Sequence, residues 1–74
     1  MTKEEKIYLI ALGEAIFTKR KVLHITQEEL AEKVGLTRNH IHRIETGQIA
    51  TSVIILRRIA KELGLESFDI MKGI

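Results

Sequence analysis

The sequence contains no cysteine, no proline and only three aromatic residues. Without cysteine the chain has neither disulfides nor thiolate metal sites, which is compatible with a reducing cytosol. Its longest apolar run, Ile7 to Leu12, is far too short to span a membrane. The acidic Glu4 and Glu5 precede this run, where a signal peptide would be basic. We therefore expect a cytoplasmic protein with no membrane segment.

The sequence also lacks any recognisable set of catalytic residues. There is no serine or cysteine nucleophile with a base, no pair of carboxylates in a plausible cleft and no phosphate-binding glycine loop. His40 and His42 diverge by about 200° on a helix and so cannot hold one metal ion together. We expect no enzymatic activity, no metal and no cofactor.

A chain of 74 residues makes one domain, residues 1–74. Its stability should be on the order of 4 to 11 kcal/mol. The formal net charge of +2 is too small to indicate a nucleic-acid partner. The charge is unevenly distributed, however, since the stretch from Lys33 to Lys61 has six Lys or Arg and a single acid, Glu45. A second basic cluster covers residues 19–21.

The segment 26–47 is typical of two short helices joined by a tight turn. Thr26 and Glu29 have the spacing of a capping box, so the first helix starts near Gln27. Gly35 ends it, because glycine enters a left-handed turn without steric cost. Thr37 can cap the second helix, which stops at Gly47 after roughly nine residues.

The second of these helices has an apolar side and a polar side. At about 100° per residue, Ile41 and Ile44 share one face. The opposite face carries polar and basic residues: Asn39, His42, Arg43 and Thr46. This is the layout of a helix that lies in the major groove of DNA.

Two longer helices flank the pair. Helix 1 is predicted from about Lys3 or Glu4 to Val22, with an apolar stripe formed by Leu9, Leu12 and Ile16. Helix 4 is predicted between a Ser52 cap and Gly64. Its predicted buried stripe consists of Val53, Leu56, Ile59, Ala60 and Leu63.

The ordered pattern of residues in this region resembles the Cro and lambda-repressor-like (Xre) family of helix-turn-helix proteins. The residues that carry the resemblance are Gln27, Ala31, Gly35, Ile41, Ile44, Glu45 and Gly47, and the similarity extends from about Leu12 to Gly73. It implies an all-α fold, a compact five-helix bundle with helices 2 and 3 as the helix-turn-helix and a short fifth helix from Ser67 to Met71. His24 stands where the family usually has glycine, so a left-handed backbone there would be strained.

Arg20 continues the apolar stripe of helix 1 and needs a partner, because a buried unpaired charge costs several kcal/mol. Glu45 lies at the margin of the apolar face of helix 3. Family members often pair an arginine and a glutamate at these two places. We therefore predict a structural ion pair between Arg20 and Glu45, the alternative being two solvated side chains.

The resemblance also implies that helix 3 enters the DNA groove by its N-terminal end. Arginine can bridge guanine O6 and N7, and asparagine can match adenine N6 and N7. The predicted base-reading residues are Arg38, Asn39, His42 and Arg43. The predicted contacts to the DNA backbone are Gln27, Thr37, His40, Thr46, Gln48 and Lys21.

One recognition helix reads only about four or five base pairs, so such proteins generally dimerise on half-sites about one turn apart. Ile54 and Ile55 are apolar residues at the start of helix 4, beyond the expected core, and more follow at the C-terminus. We expect a homodimer interface that includes Ile54, Met71 and Ile74, whereas Phe68 and Ile70 close the core.

The sequence thus predicts a transcriptional regulator that binds double-stranded DNA at a palindromic operator. Repression is favoured over activation through contact with RNA polymerase. The alternative is an antitoxin or another protein-binding module whose DNA binding is secondary.

Overall fold

The computed structural model describes residues 1–65 as an arrangement of four α-helices. They are α1 (Lys3–Val22), α2 (Gln27–Val34), α3 (Arg38–Glu45) and α4 (Val53–Glu62). Residues 1–65 contain no strand, and the predicted all-α fold is confirmed. The predicted fifth helix, Ser67 to Met71, lies outside the described residues. None of the helices described is long and apolar enough to cross a membrane.

Hydroxyl side chains determine where the helices begin. Each helix is preceded by a residue with an extended backbone, whose hydroxyl accepts a hydrogen bond from the amide three positions later: Thr2, Thr26, Thr37 and Ser52. At Thr26 the Glu29 carboxylate completes a capping box by accepting from the Thr26 amide at 3.0 Å. Gly35 ends α2 with φ at 76°, in the left-handed region. The predicted helix starts are confirmed.

The hydrogen bonds of this capping box also affect the acidity of Glu29. The Thr26 amide, and after it the Thr26 hydroxyl, hold the pKa of the Glu29 carboxyl below its ordinary value of 4.5. A hydrogen bond donated to a carboxylate stabilises its charged form. A negative charge here also interacts favourably with the positive end of the α2 dipole.

One apolar core lies between the helices, and α2 contacts both α3 and α4 while α1 contacts α3. The buried residues are Leu12, Ile16, Leu30, Ala31, Val34, Ile41, Ile44, Leu56, Ile59, Ala60 and Leu63. Each large aliphatic side chain buried in this way stabilises the fold by about 1.5 to 3 kcal/mol. Of the predicted stripe on α1, Leu9 is only half-buried. Ile55, which the sequence placed beyond the core, packs against its edge.

Val53 was predicted to be buried, and this prediction is wrong, because its side chain is 66% exposed. Val53 and Ala60 point to nearly the same side of α4, since seven residues make almost two full turns. Ala60 is nevertheless buried. The two residues differ in their position along the helix, since Val53 is the first residue of α4.

α1 lies close to the C-terminal end of α3 and to the turn that follows it. A Cβ atom built on Gly13 would lie only 2.3 Å from the carbonyl oxygen of Glu45 and 2.5 Å from that of Ile44. Near the start of α1, the Lys6 ammonium group donates to the Gly47 carbonyl at 2.9 Å. These contacts fix the position of α3 relative to the rest of the molecule.

The turn between α1 and α2 contains His24 in the left-handed region, with φ at 58°. His24 is the only residue other than glycine with a positive φ in the part of the chain that the structure describes. The backbone is thus left-handed at the position where the sequence departs from the family pattern. This conformation costs a β-carbon-bearing residue some strain.

Candidate nucleic-acid interface

α3 separates its side chains into an inner and an outer set. Ile41 and Ile44 are buried in the core, which fixes the rotation of the helix about its own axis. The side chains of four other residues are exposed: Arg38, Asn39, His42 and Arg43. Residues at this spacing lie on one side of a helix. The structure therefore brings all four predicted base-reading residues together on one open surface, which we call the outer face of α3.

The N-terminal end of α3 combines this surface with a polar cap. The Thr37 hydroxyl accepts a hydrogen bond from the His40 amide at 3.1 Å. As acceptor it keeps its own proton, which remains available as a donor. Thr37 is exposed and His40 is half-buried. Thr37 thus directly precedes the first turn of the helix, and His40 lies within that turn beside Arg38 and Asn39.

The C-terminal end of α3 carries a short chain of hydrogen bonds. The Thr46 hydroxyl donates to the His42 carbonyl at 2.9 Å, and the Gln48 side-chain amide donates to the Thr46 hydroxyl at 2.8 Å. Both side chains are exposed. The two backbone contacts predicted at this end are therefore held next to each other.

A buried ion pair lies behind the outer face. The Arg20 Nε donates to Glu45 Oε2 at 2.7 Å, and Nη2 donates to Glu45 Oε1 at 3.0 Å. The two residues are only 6% and 7% exposed. The Nη1 group of Arg20 donates to the Ile25 carbonyl at 2.8 Å. The structure thus contains the Arg20 to Glu45 ion pair that the sequence predicts, with the two-pronged geometry that makes such pairs strong.

The same carboxylate also binds a residue predicted to contact DNA. The Gln27 Nε2 donates to Glu45 Oε1 at 3.0 Å, and this bond is part-buried. Gln27 is the first residue of α2, whereas Glu45 is the last residue of α3. The sequence predicts a DNA-backbone contact for Gln27 and an ion pair for Glu45, but it does not predict the hydrogen bond between them.

Positive charge continues onto α1 beside this cluster. Lys21, a predicted backbone contact, is exposed, and its ammonium group lies 5.9 Å from the centre of the Phe17 ring. The guanidinium of Arg20 lies 5.4 Å from the same ring. Phe17 can therefore interact favourably with both cations.

Two residues that support this surface were not found by sequence reasoning. Gly13 gave a weak signal, because a glycine inside a helix costs about 1 kcal/mol and usually has a packing reason. Lys6 gave none, because a lysine near a helix start is ordinarily a solvated side chain. Its acceptor is 41 residues away in the sequence.

The predicted dimer interface is only partly within the described residues. Ile54 is 61% exposed at the start of α4 and lies next to the exposed Val53. Met71 and Ile74 lie outside the described residues. Among residues 1–65, no group of three or more His, Asp or Glu side chains is placed to hold a metal ion.

Comparison with known sequences identifies relatives over most of the chain. Residues 16–70 match the Helix-turn-helix family. An uncharacterized HTH-type transcriptional regulator of Methanothermobacter thermautotrophicus is 50% identical over 50 residues, which cover 68% of this chain and 72% of that protein. The immF control region 10 kDa protein of Bacillus phage phi105 is 38% identical over 55 residues, which cover 74% of this chain and 61% of the phage protein.

Two solved structures are similar to this fold. The clp gene regulator ClgR from Corynebacterium glutamicum has a TM-score of 0.84 at 26% identity, covering 88% of this chain and 69% of its own. The restriction-modification controller protein C.AhdI from Aeromonas hydrophila has a TM-score of 0.80 at 27% identity, covering 84% of this chain and 94% of its own. The related sequences and the similar structures both agree with the pair of helices α2 and α3 and the exposed face of α3. The chain belongs to the Xre-type helix-turn-helix family of transcriptional regulators.

Proposed function

We propose that the protein is a sequence-specific transcriptional repressor that binds a near-palindromic DNA operator as a homodimer. The observation that carries the proposal is the outer face of α3. Its four polar side chains are exposed together, while the two isoleucines on the other side fix the helix in the core. A helix presented in this way has the dimensions and the donors to read base edges in the major groove.

The chemistry of the outer face suits base recognition. Arg38 and Arg43 each offer a planar pair of donors that fits guanine O6 and N7, and Asn39 offers a donor and an acceptor that fit adenine. Thr37 at one end and Gln48 at the other supply neutral donors to phosphate oxygens. On this proposal α3 is anchored at both ends by the DNA backbone.

The start of α4 supports a homodimer. Val53 and Ile54 are adjacent apolar residues, and each is more than half exposed. Neighbouring exposed apolar residues of this size are typical of protein interfaces. A two-fold dimer would present two copies of α3 about one helical turn of DNA apart, and this matches the symmetry of a palindrome.

A role in the control of gene expression is supported by the names of two similar proteins. One is a phage control-region protein and another is a restriction-modification controller. On this proposal, the bound dimer represses by occupying the operator and excluding polymerase.

Selection of bound DNA from a random pool tests this function directly. We expect two inverted half-sites, and affinity for the selected operator should fall log-linearly with salt as counterions are released. The variants Arg38→Ala, Asn39→Ala and Arg43→Ala should each relax the choice of base at one position per half-site. Arg58→Ala, which removes an exposed cation from α4, is the control and should leave base preference unchanged.

Two outcomes would contradict the proposal. The first is that the pool yields no preferred sequence, which would favour the protein-binding alternative. The second is that all three variants of the outer face select the same operator as the parent protein. Repression itself is tested by placing the selected operator over a promoter, where added protein should lower transcript yield in a purified transcription reaction.

A further inference from the structure

We infer that Glu45 is a positioning residue for DNA-backbone binding. Its carboxylate, held in place by Arg20, fixes the side-chain amide of Gln27 and thereby couples a phosphate contact on α2 to the orientation of α3. The inference rests on the proposed function, because it assigns a task to Glu45 within that same interface.

The Glu45 carboxylate has little freedom to move. One oxygen accepts from Arg20 Nε, and the other accepts from both Arg20 Nη2 and Gln27 Nε2. Arg20 is itself fixed, because its remaining nitrogen donates to the Ile25 carbonyl in the turn before α2. One ion pair therefore connects α1, the turn between α1 and α2, the start of α2 and the end of α3.

The chemistry of the bond determines which way the Gln27 amide faces. A carboxylate only accepts hydrogen bonds, so Gln27 must present its nitrogen to Glu45. Within residues 1–65, this bond is the only hydrogen bond of the Gln27 side chain. The second N–H of the amide therefore remains free to donate to a phosphate oxygen.

This arrangement prepares Gln27 for binding. A free glutamine side chain has several rotamers and loses that freedom when it contacts a phosphate. Here most of the loss has occurred before DNA arrives, since Glu45 already holds the amide. Because Glu45 ends α3, the phosphate contact and the base-reading residues also keep a fixed relative position.

The test must separate this role from the contribution of the ion pair to folding. Removing Glu45 alone would leave a buried arginine unpaired, which strongly destabilises a protein. The double variant Arg20→Met with Glu45→Leu replaces both charges with apolar groups of similar volume, and such replacements are often neutral or stabilising. Its folding is checked by circular dichroism and thermal unfolding.

The decisive measurement is a double-mutant cycle in affinity for the selected operator. In the parent protein, Gln27→Ala should weaken binding about ten-fold. In the folded double variant, binding should already be weaker by about the same factor, and adding Gln27→Ala should have little further effect. The salt dependence should not change in any variant, because no cation that neutralises a phosphate is removed.

An additive cycle, with Gln27→Ala equally harmful in both backgrounds, would overturn the inference, as would wild-type affinity of the double variant. If the double variant does not fold, NMR of the parent protein replaces the cycle. The side-chain amide of Gln27 should be as rigid as the backbone in the free protein, unlike the exposed amide of Asn39, and should shift when operator is added. A mobile Gln27 amide would equally overturn the inference.

These outcomes are distinct from failure of the proposed function. If the parent protein selects no operator, the function is wrong and the cycle cannot be measured. If it selects an operator but the cycle is additive, or the Gln27 amide is mobile, only the role of Glu45 is wrong.

Discussion

Replacing Gly13 with alanine tests how closely α1 and α3 are packed. The added methyl group would lie 2.3 Å from the Glu45 carbonyl oxygen and 2.5 Å from that of Ile44. Ordinary carbon to oxygen contacts are about 3.3 Å or longer. The Ile44 carbonyl cannot simply turn away, because it accepts a hydrogen bond from the Gly47 amide at 3.1 Å. The end of α3 would have to move by about 1 Å to restore normal contact.

The net change in the free energy of unfolding is the sum of two opposing contributions. Alanine is the better helix former, which stabilises α1 by about 1 kcal/mol. Overpacking against backbone atoms costs up to about 3 kcal/mol. We therefore expect the free energy of unfolding to fall by about 2 kcal/mol. For a domain of this size that lowers the Tm by about 8 to 16 °C.

Thermal unfolding followed by circular dichroism measures this change. The control is Thr18→Ala, an exposed position on the same helix. It should gain a few tenths of a kcal/mol from helix propensity alone and so raise the Tm slightly. If Gly13→Ala unfolded at or above the temperature of the parent protein, the close contact between α1 and α3 would be refuted.

Three further predictions concern DNA specificity, pH and assembly. Arg43→Ala should cost about 1 to 3 kcal/mol of discrimination at one base pair per half-site. Lys21→Ala should instead weaken binding to all DNA sequences equally and reduce the slope of log affinity against log salt by about 1. Measuring the affinity of each variant for operators with single base substitutions distinguishes the two effects. Because the pKa of Glu29 is lowered in the folded state, its stabilisation is complete above the ordinary carboxyl pKa and is lost as the pH falls through the lowered value. The stability advantage of the parent protein over Glu29→Gln should therefore shrink on acidification, and thermal unfolding showing a constant difference down to about pH 2 would contradict this. Ile54→Asp should raise the dimer dissociation constant at least about ten-fold by sedimentation, and no change would exclude Ile54 from the interface.

Local signals explain why much of the fold could be predicted. The caps at Thr26, Thr37 and Ser52 act over three residues, so the sequence alone contains both partners of each hydrogen bond. The two faces of α3 follow from helical periodicity. Even the ion pair of Arg20 could be predicted, because a charge within an apolar stripe requires a partner.

The remaining features depend on how the helices pack. Whether Val53 is buried depends on which neighbours reach the first turn of α4, and periodicity gives no information on that point. The bond from Lys6 to Gly47 joins two residues that have no special pattern of their own. The bond from Gln27 to Glu45 requires the start of α2 and the end of α3 to meet, which the sequence of each helix does not indicate.

In α3 the buried isoleucines hold the helix in the core, while the exposed side chains of the outer face are free of that task. This separation affects how the protein could change the surface that it presents. None of the side chains on the outer face makes a hydrogen bond to another part of residues 1–65, so the scaffold does not depend on them. New residues could be grafted at these four positions while the isoleucines beneath them stay unchanged. If the proposed function holds, a lineage could change the DNA sequence that it recognises through a few substitutions on this surface, while the buried core stays the same.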